Sequence, residues 1–440
     1  METQITIYRG THQIGGCITE IQVGTNRILI DFGANLPGNE AINVLSDEEI
    51  VKAVFQRDNS KAKCVAVLFT HYHGDHYGLY KKVPPKIPMY IGYTAKKILE
   101  ILTERLDYFS EDKGLPVVKK MKTYQINKWK KLAEGIEILP LVVDHSALDS
   151  YMFVIRAGKK RILFTGDFRD HGITGGEERF EKMLDAYVGD VDILITEGTM
   201  LSRLEEASKN PIQTEENLGK RAGEIFNQYH ENVVLVSSTN LDSIMEFYYA
   251  TPADKEFVCD AYQAKIILTA IEDKQKYYEK YRLHQRYPNV PRNFCIIGNM
   301  EGLGGKQNCY PANWDLLRER GYVLLARPNR NPDKTYKNRF EEAMKEAVNP
   351  HIIYSMWAGY LEEEHADADI LRFLDGYRED MDILHTSGHA YKETIQKLMD
   401  KTHPKMIIPM HTQCADTFHK FFPGYEDKVN VLKDGEGYKL

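Results

Sequence analysis

The sequence predicts a layered α/β protein, and three observations carry that expectation. Short β-branched runs separated by glycine turns, such as Ile5-Thr6-Ile7-Tyr8, Ile18-Thr19-Glu20-Ile21-Gln22-Val23 and Ile28-Leu29-Ile30, alternate as strands do and lead into Asp31-Phe32-Gly33. Helical periodicity follows them at residues 94–109. Several apolar runs also finish in a side chain able to bind a metal: His71 after residues 64–69, His145 after Val142-Val143, Asp167 after Phe164-Thr165, and Glu197 after Ile195-Thr196. In parallel or mixed α/β sheets that strand edge is where ligands bind.

The densest of these ends is Thr70-His71-Tyr72-His73-Gly74-Asp75-His76, which carries three imidazoles and one carboxylate within six positions. A lone histidine after a strand is usually a satisfied polar residue, but four such groups this close would each need a separate partner. The set therefore reads as the ligands of a borderline divalent metal such as zinc. Ligands so near in sequence cannot all wrap one small ion, so a pair of metals is expected, with further ligands from elsewhere.

Length and composition bound the rest. A chain of 440 residues is too long for one ordinary core, so two domains are expected. A hydrophobic fraction of 42% and a charged fraction of 28% are those of a soluble globular protein. The net charge of -7 excludes a general basic footprint, so any nucleic acid must meet a local patch. Six scattered cysteines without a CxxC pair fit reduced thiols and a cytoplasmic location. No signal peptide and no membrane-spanning run is evident, so no membrane partner is expected.

Along the chain, Ala95, Ile98, Leu99, Leu102, Leu106 and Phe109 make one helical stripe, with Thr94 as its expected N-cap. The basic run from Lys119 to Lys131 reads as a solvated face rather than a nucleic-acid contact. From about residue 201 to 381, Thr214 caps a helix bearing Leu218, Ala222, Ile225 and Phe226, and strand candidates alternate with helices, as in a parallel α/β sheet. Trp357 and Tyr360 read as buried aromatics, and Arg327, Arg330, Lys334, Lys337 and Arg339 as a candidate phosphate track. Cys17 reads as small packing.

The order His-x-His-x-Asp-His, then His145, then Thr165-Gly166-Asp167 resembles the metallo-β-lactamase fold, a four-layer αββα sandwich with a dinuclear metal site at one edge of its sheets. Asp382-Ile383-Leu384-His385-Thr386-Ser387-Gly388-His389 and Met406-Ile407-Ile408-Pro409-Met410-His411 resemble the late histidine motifs of the β-CASP nucleases, the group that includes ribonuclease J. The resemblance implies a first domain over 1–200, an inserted α/β β-CASP domain over 201–381 and a return segment over 382–440. It implies two Zn2+ ions, with Mn2+ as an alternative. His71, His73 and His145 would hold one ion and Asp75, His76 and His411 the other, with Asp167 bridging. Asp75, His389 and Glu197 form the implied catalytic set, with His389 the general acid and Glu197 behind it. His385, Ser387 and Gly388 are the implied phosphate-binding residues. The stretches 237–243 and 326–332 depart from the ribonuclease J pattern. The end at Leu440, soon after His411, reads as a form without that family's further C-terminal domain.

Three function classes follow: a ribonuclease acting on single-stranded RNA, a hydrolase of a small phosphoester, thioester or lactone, and an RNA-binding protein with a structural metal. The ligand set counts against the third, and the inserted domain with Ser387-Gly388-His389 favours the first. Both endonucleolytic and 5′-3′ exonucleolytic cleavage fit the first class, and a homodimer is left open.

Overall fold

The computed structural model describes residues 2–36, 45–56, 62–173, 176, 178–281, 293–300, 302–303, 308–328, 339–362 and 366–440. The chain divides into two compact units, Met1–Asn210 with Gly388–Leu440, and Pro211–Ser387. The first unit opens with β1 (Thr3–Arg9), β2 (Ile18–Val23), β3 (Asn26–Ile30), β4 (Lys63–Leu68), β5 (Met89–Ile91) and β6 (Lys122–Thr123). It continues with β7 (Lys130–Ala133), β8 (Ile136–Val143), β9 (Ser150–Ala157), β10 (Lys160–Phe164) and β11 (Ile193–Glu197). The second unit holds β12 (Glu231–Val236), β13 (Glu256–Asp260), β14 (Phe294–Ile297), β15 (Cys309–Pro311), β16 (Tyr322–Ala326), β17 (His351–Ser355) and β18 (Asp382–Ile383). The chain then returns to the first unit with β19 (Met406–Met410) and β20 (Gly437–Lys439).

Two mixed sheets form the first unit, in the orders β20-β1-β2-β3-β4-β5-β6 and β19-β11-β10-β9-β8-β7. Strand periodicity decides how they pack, because successive side chains point to opposite faces. In β9, Tyr151, Phe153 and Ile155 enter a core shared with Ile5, Ile7, Ile21, Ile28 and Leu68 of the other sheet. The alternate residues Met152 and Val154 enter a second core with Ile395, Leu398 and Met399 of helix Lys392–Thr402 and with Phe418 and Phe422. Each such apolar side chain contributes roughly 1.5–3 kcal/mol on burial. The opposite face of the first sheet is also covered: Leu29 and Val67 are fully buried, and Arg27 of β3 donates to the Val54 carbonyl of helix Asp47–Phe55. Two sheets face to face with helices outside them make the α/β sandwich expected from the sequence.

The helix expected at 94–109 forms as Tyr93–Tyr108, but Thr94 is not its cap. The Asp149 Oδ2 atom, from the turn between β8 and β9, accepts from the Thr94 and Ala95 amides at 2.8 and 3.1 Å. Gly92 leaves room for that carboxylate; a Cβ there would lie 2.3 Å from Asp149 Oδ2. The apolar stripe is also only half used, because Ala95, Ile98 and Leu99 are buried while Leu106 and Phe109 are 60% and 55% exposed.

The second unit is one parallel sheet, β15-β14-β13-β16-β12-β17-β18. Its central strands are buried along their whole length, as parallel strands covered on both faces must be. Thr214 Oγ1 accepts from the Asn217 amide and caps helix Glu215–Gln228. β18 pairs with β17, which keeps Asp382–Ile383 in this unit and carries it on to Ser387.

Replacing the long-range cap, Asp149→Ala, should lower unfolding stability by about 1–2 kcal/mol, read as a lower denaturant midpoint. Thr94→Ala should cost less, which is the reverse of what a Thr94 cap requires.

Candidate metal centre

The site is assembled from strand ends. After β3, Asp31 adopts φ +60°, and its carboxylate accepts from the Thr70 amide at 2.7 Å and from Thr70 Oγ1 at 2.8 Å. The same carboxylate lies 2.8 Å from His76 Nδ1. An imidazole tied at Nδ1 to a carboxylate presents Nε2 as its free ligand atom. Four residues, Gly74–Tyr77, form a short helix after β4, and His73 sits at its N-terminus. The Asp75 backbone is seated tightly: its carbonyl accepts from the Cys17 amide at 2.9 Å, and a Cβ on Gly33 would lie 1.7 Å from that oxygen.

Asp167, just past β10, stands at the centre. Its Oδ2 lies 3.1 Å from His76 Nε2, 3.7 Å from His411 Nε2, 3.7 Å from His389 Nδ1 and 3.9 Å from His71 Nε2. His71, His73 and His145 offer three ring nitrogens within 4.8 Å of one another, with His145 Nε2 at 3.2 Å from His73 Nδ1. Asp75 Oδ2 lies 3.3 Å from His411 Nε2 and 3.8 Å from His76 Nε2. Neighbouring groups orient the rings: His145 Nδ1 is 2.5 Å from the Gly388 carbonyl, and His411 Nδ1 is 2.8 Å from Thr199 Oγ1.

Charge follows this packing. Burial, reinforced by the neighbouring imidazoles, holds His71 and His145 well below the usual histidine range. Burial lowers His73 to about 4, although Asp75 and Asp167 oppose it. His76 behaves in the opposite way: burial lowers it, but Asp167, Asp75 and Asp31 together raise it well above its ordinary value. Burial alone would raise Asp167, yet His411, His76 and His389 hold it well below the carboxylate range. The His71, His73 and His145 imidazoles are thus held neutral near the ionised Asp167, which is the donor state that a divalent cation takes. Two buried atoms aimed into it, His71 Nε2 and Asp167 Oδ1, have no hydrogen-bond partner. Such orphaned groups are costly unless a cation completes them, so the residues present fit a metal site.

A titratable pair flanks the cluster. His389 Nδ1 lies 3.0 Å from Glu197 Oε2, and Glu197 Oε1 accepts from the Phe168 amide at 3.0 Å. Burial lowers the His389 pKa, but Glu197 and then Asp167 outweigh it and raise it. The ring is stacked on His411 at 5.3 Å between centroids, and its side chain keeps 22% exposure while every other histidine of the cluster except His73 is buried.

The structure therefore brings His71, His73, Asp75, His76, His145, Asp167, His411, His389 and Glu197 together. Gly388 belongs to the same unit, and its carbonyl orients His145; His385 and Ser387 belong to the second unit. Of the expected phosphate track, Arg330, Lys334 and Lys337 lie outside the described residues, and Arg327 is committed to the buried Asp260 carboxylate at 2.7 Å. An ion pair that tight takes Arg327 out of a free cationic track. Sequence reasoning missed the orienting residues. Asp31 and Thr199 are two. Arg169, expected from the sequence to orient Asp167, is fully buried with its Nε 3.0 Å from Asp144 Oδ1 and ties the loops bearing His145 and Asp167. Neither Asp31 nor Thr199 lies next to a candidate ligand in sequence, so no local pattern nominates them.

A family model described as Beta-lactamase superfamily domain matches residues 26–234. Ribonuclease J of Helicobacter pylori (strain ATCC 700392 / 26695) is 23% identical over 424 residues, which cover 93% of this chain and 56% of that protein. Residues 26–234 are thus similar to the Beta-lactamase superfamily domain, and most of the chain is similar to ribonuclease J. Ribonuclease J of Mycoplasma genitalium (strain G37) is 20% identical over 430 residues, 93% of this chain and 68% of that protein. The chain thus spans a little over half the length of the Helicobacter relative. Among solved structures, a protein of unknown function from Enterococcus faecalis V583 superposes with a TM-score of 0.76 at 19% identity, covering 100% of both chains. Among the described residues, no helix is long and apolar enough to cross a membrane.

Removing the orienting charge, Asp31→Asn, should weaken metal affinity by about 10–100-fold, measured by competition with a chromophoric chelator. Thr199→Val should produce a smaller loss, because a hydroxyl orients His411 without a charge.

Proposed function

We propose that this chain is a metal-dependent hydrolase that cleaves phosphodiester bonds of single-stranded RNA. The observation that carries the reading is the convergence of four imidazole nitrogens on one buried carboxylate oxygen of Asp167, with Asp75 beside it. Seven ligands are too many for one tetrahedral centre, which supports two ions. His71, His73 and His145 would hold one, Asp75, His76 and His411 the other, and Asp167 would bridge them. The imidazole-rich donor set favours zinc, with manganese as the alternative. When bound, such ions supply a hydroxide at neutral pH and stabilise charge on phosphoryl oxygens.

The chain's own residues supply the rest. Glu197 fixes the His389 tautomer and favours its protonated form, so His389 can deliver a proton to the leaving oxygen. Asp75 orients the second ligand group and completes the catalytic set with these two. His385, Ser387 and Gly388 are our candidates for the scissile phosphate. RNA as substrate is supported by the relatives named ribonuclease J and by the β-CASP-like reading of the second unit. Asp242, in the stretch that departs from the family pattern, would repel a terminal phosphate, so we assign endonucleolytic cuts at least equal weight to 5′-3′ degradation. Six free cysteines agree with the cytoplasmic location we propose.

Metal-loaded protein should contain two ions per chain by elemental analysis. His411→Ala should lose one of them, whereas His389→Ala should keep both and lose turnover; metal loss in His389→Ala would make His389 a ligand and not the proton donor. Single strands labelled at the 5′ or the 3′ end, run beside a duplex of the same sequence, should be cut with zinc or manganese while the duplex resists. Turnover of a small phosphodiester or thioester with no cleavage of any RNA would assign the chain to the small-molecule hydrolases instead.

A further inference from the structure

The run Lys119-Lys120-Met121-Lys122-Thr123-Tyr124-Gln125-Ile126-Asn127-Lys128-Trp129-Lys130-Lys131 holds six lysines and no acidic residue, in a chain whose net charge is -7. The fold of the first unit brings two of these lysines, one from each sheet, to a shared ring. β6 is the edge strand of one sheet and β7 the edge strand of the other, and both lie in this run. Lys122 and Lys130, one from each edge, place their ammonium groups 5.7 and 5.1 Å from the centroid of the same ring, Tyr90. All six lysines are exposed, and none has a carboxylate partner among the described residues. The surface extends to β9 and β10, where the Arg156 and Arg161 guanidinium groups lie 3.9 and 5.8 Å from the Trp129 ring centroid, Arg156 also pairing with Glu137 at 3.1 Å.

The run is held rigidly to the metal centre's own strand. Tyr124, in its middle, is buried and donates to the Phe69 and Tyr90 carbonyls at 3.0 and 2.9 Å, and Phe69 lies two residues before His71. Lys96 donates to the Lys119 and Met121 carbonyls at 2.9 and 2.8 Å, which fixes the first turn of the run. Lysines on edge strands also discourage edge-to-edge pairing. One or two charges per edge suffice for that purpose, and it does not require six lysines in thirteen residues without an acid among them. Like charges brought together on fixed backbone without counter-charges make an anion site, and a line of them suits a repeating anion.

We infer that this lysine surface of the first unit is an exosite for the sugar-phosphate backbone of single-stranded RNA, outside the metal centre. The inference rests on RNA being the substrate and adds a second contact region for it. The surface recognises charge and not sequence, because lysine ammonium groups meet phosphates as point charges.

The test is fluorescence anisotropy of a labelled single-stranded RNA analogue that resists cleavage, titrated with zinc-loaded full-length protein over a range of salt concentrations. The comparison variant carries Lys119→Gln, Lys120→Gln, Lys128→Gln and Lys131→Gln, with a matched thermal unfolding midpoint as the check on folding. Its Kd should rise by about tenfold or more at low salt, and the slope of log Kd against log salt should fall by about 3 for four lost contacts. A control with Lys182→Gln and Lys209→Gln, on exposed helices of the same unit, should match the wild type. Equal Kd and slope in the four-lysine variant and the wild type would overturn the exosite while leaving the RNA reading intact. Aggregation of the variant with unchanged RNA affinity would assign the lysines to edge protection. Binding of anionic phosphatidylserine vesicles but not RNA would overturn the inference in favour of a lipid surface. Wild-type protein that neither binds nor cuts RNA would overturn both readings together.

Discussion

The centre depends on keeping one carboxylate ionised where water does not reach. Asp167 is 2% exposed, and desolvation alone would protonate it. What opposes protonation is a shell of imidazoles, four of them with a nitrogen within 3.9 Å of a single oxygen. Burial drives His71 among them toward neutrality, so they cannot all supply positive charge. His76, hemmed in by Asp31, Asp75 and Asp167, and His389, beside Glu197, are the two pushed toward holding a proton. Two protonated rings among the carboxylates of Asp31, Asp75, Asp167 and Glu197 are a poor balance, and this explains why this arrangement of donors fits metal ions.

Such a balance requires fixed geometry, and the sandwich supplies it by drawing on both sheets. Asp31, His71, His145, Asp167, Glu197 and His411 come from the carboxyl ends of β3, β4, β8, β10, β11 and β19. Each strand is clamped by its ladder and by cores on its faces, so its terminal side chain inherits the position of the sheet. Between neighbouring ends the tolerances are small. The Arg169–Asp144 pair and the Asp31–Thr70 bonds set the loops to within a hydrogen-bond length.

The candidate ligands were legible in the sequence because their chemistry is concentrated: His71, His73, Asp75 and His76 share one short stretch, and Asp167 follows a strand run. The two-layer sheet core was legible through period-two alternation in runs such as Ile136-Glu137-Ile138-Leu139. What escaped was long-range. Asp149 caps a helix that begins more than fifty residues earlier, so no local pattern could nominate it over Thr94. Leu106 and Phe109 keep the helical spacing of buried residues yet face solvent, because periodicity specifies a face and not how far the neighbouring layer extends. Arg327 read as a free cation only because its partner Asp260 lies on a different strand.

The position of β19 has a further consequence, for the order in which the protein can be made. β19 inserts beside β11 as a parallel edge strand, although more than two hundred residues separate them in the chain. The early strands, β1 to β11, can begin to fold as they leave the ribosome, since domains generally form from the N-terminus during synthesis. A nascent chain that has reached only Ser387 still lacks both His389 and His411, and Asp167 has lost two of its four imidazole neighbours. The centre therefore stays incomplete until the chain has been made as far as His411, and the topology itself delays its assembly while the messenger is still threaded through the ribosome.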